Sequence, residues 1–199
     1  STDVIRTNQT GDCFYDSIYQ LLIRSEYNST FLTPIRERPQ MEAWEYIRDI
    51  SATFLENEHE NQTWQAITRN LVEAIRSSPG SVREVLEIVT ETEVNVLRAF
   101  EQYDEEDAMQ IAQSRAAEGY AQYIREPRRW ATDTAIAVFS EVAQVRVCIY
   151  QPVEQGWMQF FSTNEGTTLP VFHVGWINYS RRDEEVGNSA HFVGLSPLR

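Results

Sequence analysis

Apolar residues recur every three or four positions through the first 143 residues, which is the spacing of helices with one buried face. The pattern predicts a helix directly after Cys13 and further helices over 41–55, 64–75, 82–89, 93–103, 106–125 and 130–142. Chain breakers at Ser77–Gly80 and Pro127 end two of these segments. The first part of the chain is therefore expected to be helical.

Beyond residue 143 the apolar period shortens to two, or to brief continuous runs, as in strands. Four strands are predicted, over 145–150, 157–161, 171–179 and 191–195. Helices followed by strands indicate an α+β domain: a small, mostly antiparallel sheet flanked by helices. No linker divides the 199 residues, so we expect one domain.

Several classes of protein are excluded at this point. No apolar run approaches the roughly 18 residues of a membrane helix, and no signal segment opens the chain. Two cysteines provide neither a disulfide framework nor a Cys-rich zinc cluster, and phosphate-binding glycine loops are absent. We expect no metal, no cofactor and no membrane insertion.

The charge balance narrows the choice of partner. Thirty acids against 17 bases give a net charge of −13 and a pI near 4.7, which disfavours nucleic acid and anionic membranes and favours a basic partner. All 17 bases are arginine. Either drift explains the missing lysines, or the chain avoids side-chain amines to which ubiquitin is attached.

The two cysteines lie in different surroundings. Cys148 sits within an apolar strand, where a thiol acts as a small hydrophobic group. Cys13 follows Gly11-Asp12 and opens an amphipathic helix, where the free N–H groups and the helix dipole favour a thiolate. Gly11 permits a tight loop whose N–H groups can face an oxyanion. Cys13 is therefore the candidate nucleophile.

A cysteine nucleophile needs a base, and two histidines compete for that role. His173 lies inside a predicted strand, where a structural histidine is the usual case. His191 begins a strand after a polar loop, a position from which an imidazole can reach a cleft. We take His191 as the candidate base and expect its imidazole to meet the Cys13 thiol in one groove.

These residues carry a resemblance. Thr10-Gly11-Asp12-Cys13-Phe14-Tyr15 opening a helix, with His191-Phe192 on the last strand, resembles the OTU (ovarian tumour) family of cysteine proteases. The stretch from Tyr123 through Trp130 to the strand at 145–150 is also similar to that family. Residues 30–118 match nothing in the family and are interpreted as a large helical insertion.

The resemblance implies a deubiquitinase, a thiol protease whose partner is ubiquitin or polyubiquitin. Cys13 would attack the carbonyl after the C-terminal glycine of ubiquitin, and His191 would protonate the leaving lysine amine. Backbone N–H groups around Gly11, Asp12 and Cys13 would stabilise the oxyanion. Trp176 and Phe192 would bind substrate as walls of a channel that admits only glycine, although core packing is an equal alternative.

Two departures from the family pattern leave the third catalytic residue open. Thr10 stands where the family has Asp, and Val193 stands where many members have an acid or amide. We hypothesise that Asp3 orients His191, and we expect Asp12 to shape the loop. The alternatives are that Asp12 orients the imidazole, that an asparagine (Asn178 or Asn188) does, or that a bare Cys–His dyad acts alone.

The remaining expectations concern role and location. The insertion over 30–118 is the expected ubiquitin-binding region, against a purely structural cap. A lysine-free deubiquitinase suits a cytosolic site of action, including a host cytosol reached by a bacterial effector or a viral protein. The alternatives are a protease for a viral polyprotein or another ubiquitin-like modifier, a dead ubiquitin-binding pseudoenzyme, and an unrelated acidic scaffold.

Overall fold

The computed structural model describes residues 2–7, 10–77, 89–178 and 190–197. The described helices are α1 (Cys13–Arg24), α2 (Thr33–Arg36), α3 (Gln40–Asn57), α4 (Gln62–Ser77), α5 (Val89–Gln102), α6 (Glu105–Arg125) and α7 (Asp133–Ala143). The strands are β1 (Thr2–Ile5), β2 (Arg146–Val153), β3 (Gly156–Ser162), β4 (Val171–Asn178) and β5 (Ala190–Pro197).

The five strands form one sheet in the order β1-β5-β4-β2-β3. Every neighbouring pair is antiparallel except β2 and β4, which run parallel. The sheet confirms the prediction of an α+β fold with a mostly antiparallel sheet. Strand β1 was not predicted, because four residues at the start of the chain carry too short a pattern to be recognised.

Helix α1 packs against β5, so the beginning of the helix lies beside that strand. Phe14 is fully buried, and its ring meets those of Phe139 and Phe192 edge to face at 6.2 and 5.6 Å. Gly194 leaves room for α1, because a Cβ there would lie 3.1 Å from Leu21. The amphipathic pattern after Cys13 thus buries one helix face on the strand that carries His191.

The chain divides into two compact units, Ser1–Ile47 with Pro127–Arg199, and Arg48–Glu126. In the second unit, α4, α5 and α6 pack on one another. Its core consists of small and aliphatic side chains: Val72, Ile75, Val96, Ala99, Ala112 and Ala116. The helical unit begins at residue 48 and ends at 126, whereas the sequence analysis placed the insertion at 30–118.

Side-chain caps define the starts of two helices. The Asp104 carboxylate accepts a hydrogen bond from Asp107 N–H at the start of α6, and the Thr132 hydroxyl accepts one from Ala135 N–H at the start of α7. Each cap satisfies a backbone donor that the first turn leaves unpaired.

The predicted helix over 82–89 falls mostly outside the described residues, as do the breakers at 78–80 and the polar loop at 181–189.

Searched over its described residues, the structure has no helix with both the length and the apolar character needed to cross a membrane. Within the same residues, no three side chains of His, Cys, Asp or Glu are grouped closely enough to hold a metal ion.

Candidate active site

Cys13 is the first residue of α1 and lies against the beginning of β5. Its Sγ accepts a hydrogen bond from the Phe192 backbone N–H at 3.4 Å. That amide belongs to the peptide bond that joins His191 to Phe192, so the fold brings residues 13 and 191 together across most of the chain. Among the described side chains, no hydrogen bond joins the thiol directly to the imidazole.

The imidazole of His191 is held by a residue that the sequence analysis did not select. Nε2 of His191 lies 3.1 Å from Oγ1 of Thr7, and the same hydroxyl donates a hydrogen bond to the carbonyl oxygen of Phe192. Thr7 follows β1, which pairs antiparallel with β5. The edge strand β1 therefore places the Thr7 hydroxyl beside His191 and Phe192. The backbone N–H of Phe192 also contacts the thiol.

This network assigns the tautomer of His191. A threonine hydroxyl has one hydrogen, and a carbonyl oxygen only accepts, so the Thr7 hydrogen is committed to Phe192. Thr7 Oγ1 must then accept from Nε2, which places the ring hydrogen of a neutral imidazole on Nε2. Nδ1 is left as an acceptor. The ring is arranged to receive a proton at Nδ1.

Burial shifts the pKa of each group in the direction that favours its neutral form. Cys13 is only 1% exposed, and desolvation raises the pKa of its thiol to about 11, against smaller lowering effects from the N–H groups of Phe192, Phe14 and Cys13. Burial also lowers the pKa of His191, an effect that the nearby Asp16 carboxylate opposes. Both shifts favour a neutral thiol beside a neutral imidazole over a thiolate–imidazolium pair.

The loop before Cys13 satisfies its own amides. Cys13 N–H donates to the Thr10 carbonyl at 3.1 Å, and Asp12 N–H donates to Thr10 Oγ1 at 3.4 Å. These are two of the N–H groups that the sequence analysis assigned to an oxyanion hole around Gly11 and Asp12. In this conformation Thr10 occupies them.

Gly11 and Asp12 attach this loop to the segment after α6. A Cβ on Gly11 would lie 1.7 Å from the Arg128 carbonyl oxygen, so only glycine fits under that backbone. The Asp12 carboxylate accepts hydrogen bonds from Arg128 N–H at 3.2 Å and from the Thr10 hydroxyl at 3.3 Å. The Asp12 carboxylate thus joins Thr10 to the segment that follows α6.

Trp176 and Phe192 line the same cavity. They are directly paired on β4 and β5, and both border a cavity of about 270 Å³ that is also lined by Trp130, Phe160, Asp133 and Ile149. Phe192 thus borders this cavity, and its backbone N–H contacts Cys13 Sγ.

The structure separates Asp3 from His191. Asp3 is exposed and pairs with Ser196, whereas His191 pairs with Ile177 at the other end of β5. Five positions along a strand span about 16 Å, far beyond hydrogen-bonding distance. Thr7 occupies the place beside the imidazole that the sequence analysis assigned to Asp3. The side chain of Asn178, and all of Asn188, lie outside the described residues.

The other histidine that competed for the base lies elsewhere. His173 pairs with Cys148 across β2 and β4, and its Nδ1 lies 2.8 Å from the Tyr150 hydroxyl. Neither His173 nor Tyr150 forms a described hydrogen bond with the thiol of Cys13. The structure thus brings His191, not His173, to Cys13.

Sequence reasoning missed Thr7 for a physical reason. Thr7 stands between the short strand β1 and a polar stretch, where it has the appearance of an ordinary loop residue. Its position beside His191 depends on the pairing of β1 with β5. The only available signal was its place shortly before the cysteine loop. Trp130 and Asp133 near the start of α7, and Phe160 on β3, were missed as cavity residues because only the fold brings these two segments together.

Solved structures of other proteins share the architecture of this chain. The Legionella pneumophila deubiquitinase Ceg23 aligns with a TM-score of 0.56 at 13% identity, over 99% of this chain and 81% of that one. The viral OTU domain protease from Farallon virus aligns with a TM-score of 0.54 at 12% identity, over 99% and 85%. No family profile and no curated protein matches the sequence. The chain has the fold of OTU-domain proteases, as the motifs predicted.

Proposed function

We propose that this chain is a cysteine isopeptidase that acts as a deubiquitinase, with Cys13 as nucleophile and His191 as base and acid. The observation that carries the proposal is the meeting of Cys13 Sγ with the His191–Phe192 peptide at the start of α1. The fold shared with OTU-domain proteases supports the same conclusion. The motif around Cys13 supplies the substrate class by resemblance.

The chemistry follows from the neutral pair. His191 Nδ1 takes the thiol proton as Cys13 Sγ attacks the carbonyl carbon of the isopeptide bond. The C–N bond then breaks, the lysine amine leaves with the proton returned by His191, and a thioester remains on Cys13. Water, deprotonated by His191, attacks the thioester and releases the carboxylate and the free thiol.

Oxyanion stabilisation requires a change in the cysteine loop. The developing oxygen needs N–H donors, and those of Asp12 and Cys13 are bonded to Thr10 in the free chain. Substrate must displace the Thr10 carbonyl from Cys13 N–H for that amide to contribute. The active arrangement is therefore induced by substrate.

In this scheme Thr7 is a positioning residue for His191. Replacement of Thr7 by valine tests that role. Thr7→Val keeps the shape and removes the hydroxyl, so kcat/KM should fall by between about 5- and 100-fold, the loss expected for one buried hydrogen bond. Thr7→Ser should retain most activity. ¹⁵N NMR of His191 should show the Nε2–H tautomer in the wild type and a mixture in Thr7→Val. Unchanged kinetics in Thr7→Val would remove this role.

The remaining expectations become part of the proposal. The helical unit over 48–126 is proposed to hold ubiquitin, since it carries 16 of the 30 acidic residues and seven of the 17 arginines. The resulting negative charge favours a basic partner. A host-cell cytosol is the proposed site of action, supported by the lysine-free composition.

A second candidate is a ubiquitin-binding pseudoenzyme. The observations that favour it are the raised pKa of the Cys13 thiol and the amides occupied by Thr10. Such a protein would bind ubiquitin without cleaving it. One experiment separates the two.

The test is covalent capture by ubiquitin that carries a C-terminal electrophile. The wild type should form an adduct, which peptide mass spectrometry should locate at Cys13, and it should cleave diubiquitin. Cys13→Ser should lose both, while Cys148→Ser, which removes the only other thiol, should retain both. Binding of ubiquitin without adduct or cleavage would establish the pseudoenzyme, and a panel of ubiquitin-like modifiers would detect a different modifier.

A further inference from the structure

Asp16 is a buried carboxylate near the candidate active site that the chemistry described above leaves without a role. It lies in α1, one turn after Cys13, and is 2% exposed. Side chains three positions apart share a helix face, and each leans towards the turn that precedes it. Helix geometry thus brings the Asp16 carboxylate to the face and the turn that carry the thiol.

Two amide side chains fix the position of this carboxylate. Gln40, at the start of α3, donates a hydrogen bond from Nε2 to Asp16 Oδ1 at 2.6 Å, and Gln20 Nε2 donates to the same oxygen at 3.4 Å. Amides carry no net charge. They therefore hold Oδ1 in place without cancelling the negative charge of the carboxylate.

The charge of Asp16 acts on the imidazole of His191. Burial lowers the pKa of His191, and the Asp16 carboxylate opposes that effect. Thr7, which contacts the ring from the segment after β1, and Ile177, which pairs with His191 from β4, are uncharged. The carboxylate that acts on the pKa of the thiol belongs instead to Asp12. Asp16 thus acts on the imidazole member of the pair.

Neither of two structural roles explains this arrangement fully. An acid in the first turn of a helix stabilises the helix dipole, but an exposed acid would do so equally well. The hydrogen bond from Gln40 ties α1 to α3, but it needs only an acceptor oxygen, which an asparagine would also supply. A buried carboxylate differs from both in the charge that it places beside the imidazole.

We propose that Asp16 is the counter-charge for the imidazolium of His191, a positioning residue that acts from one helical turn beyond the nucleophile. The inference rests on the proposed protease function for its role in turnover. When the thiol proton passes from Cys13 Sγ to His191 Nδ1, the ring becomes a cation in a partly buried site. A fixed negative charge nearby stabilises that cation until the proton passes to the leaving amine.

An NMR titration of Cys13→Ser protein tests the charge coupling without hydrolysis. Asp16→Asn, added to this protein, keeps an acceptor oxygen for Gln40 and removes the charge. The ring signals of His191, followed against pH, should then report a lower pKa than in the parent, because the raising effect of the carboxylate is gone.

Two matched variants separate charge at this position from other effects. Glu26→Gln removes an exposed acid just after α1 and should leave the titration of His191 unchanged. Gln40→Leu removes the amide that ties α3 to Asp16 but retains the carboxylate, and it should also leave the titration unchanged. Thermal unfolding of each variant shows that the fold persists.

The pH profile of diubiquitin cleavage tests the same charge during turnover, in protein that retains Cys13. In Asp16→Asn the plateau of kcat/KM should fall by about 3- to 30-fold, the effect expected of one nearby charge in a partly buried site. The acidic limb should move to lower pH, because a base with a lower pKa is protonated only at lower pH. Simple loss of structure would lower the plateau without moving the limb.

The outcomes distinguish this proposal from the proposed function. An unchanged titration of His191 in Asp16→Asn, an equal shift in Gln40→Leu, or an acidic limb that does not move would overturn the role of Asp16. If the wild type cleaves no ubiquitin substrate, the protease proposal fails, while a titration shift confined to Asp16→Asn would retain Asp16 as the counter-charge of the ring. Cleavage without a titration shift would do the reverse.

Discussion

At the scale of the residue, the state of the Cys13 thiol controls reactivity. Papain-like enzymes lower the thiol pKa by pairing it with an imidazolium. Here burial outweighs the N–H donors and raises the pKa of Cys13 to about 11. Burial therefore favours the protonated thiol in the free chain.

Alkylation by iodoacetamide checks this state. Only the thiolate reacts, so the rate at Cys13 should rise about tenfold per pH unit through pH 7–10 and level off near the raised pKa. A thiolate–imidazolium pair would instead give a rate that is already constant above about pH 5. Labelling should be followed in Cys148→Ser, with Cys13→Ser as the blank. A plateau at neutral pH would contradict the neutral pair.

The same pKa shift links stability to pH. A thiol whose pKa rises from 9.0 in the reference state to about 11 in the fold favours the folded state while it is protonated. That contribution is complete below pH 9 and is lost as the pH rises towards 11. Cys13→Ser has no thiol to ionise and should lose less stability over that window.

Gly11 is the residue whose side chain the fold cannot accommodate. Gly11→Ala would place a Cβ 1.7 Å from the Arg128 carbonyl, so the loop must shift, at a cost of about 1–3 kcal/mol in the free energy of unfolding. Chemical denaturation measures the cost. Gly194→Ala is the control, because its nearest contact is 3.1 Å from the Leu21 side chain, which can move. Equal costs for the two variants would show that the Arg128 contact is not restrictive.

At the scale of the element, the helical unit depends on its own core. Ile75 lies at the C-terminal end of α4 and is 3% exposed among the aliphatic residues of that core. Ile75→Ala should destabilise residues 48–126 by about 2–5 kcal/mol, through lost burial and a cavity. Hydrogen exchange of the amides of α4 to α6 measures this locally.

Val94 provides the matched control for that measurement. It lies on α5 and is exposed, so Val94→Ala should change protection by no more than about 0.5 kcal/mol. If Ile75→Ala also left exchange unchanged, the proposed core of the helical unit would be wrong.

At the scale of the whole molecule, the absence of lysine has a measurable consequence. Ubiquitin ligases form amide bonds to amines, and a chain whose 17 bases are all arginine offers none on its side chains. Cys13→Ser protein in a reconstituted ligase reaction should gain no amide-linked ubiquitin at side chains. Addition of Arg24→Lys, at an exposed position, should create one site. Mass spectrometry of both proteins distinguishes side-chain from amino-terminal attachment.

Local patterns were sufficient for most of the described elements and for the choice of Cys13 and His191 as the candidate pair. Helical periodicity located α3, α4 and α6, because one buried face repeats along each helix. The loop and helix around Cys13 were recognisable because a glycine, a helix start and a thiol are adjacent in the chain. His191 followed from its place at the start of a strand.

Other features required the tertiary structure, because they depend on distances between residues remote in sequence. The register of β1 with β5 decided that Thr7, not Asp3, stands beside His191. Burial by the assembled core decided that the thiol is neutral, against the helix start that favours a thiolate. Four aromatic side chains from separate segments, Trp130, Phe160, Trp176 and Phe192, had to meet before this cavity existed. The sequence determined which chemical groups are present, and the packing determined their neighbours and their charge.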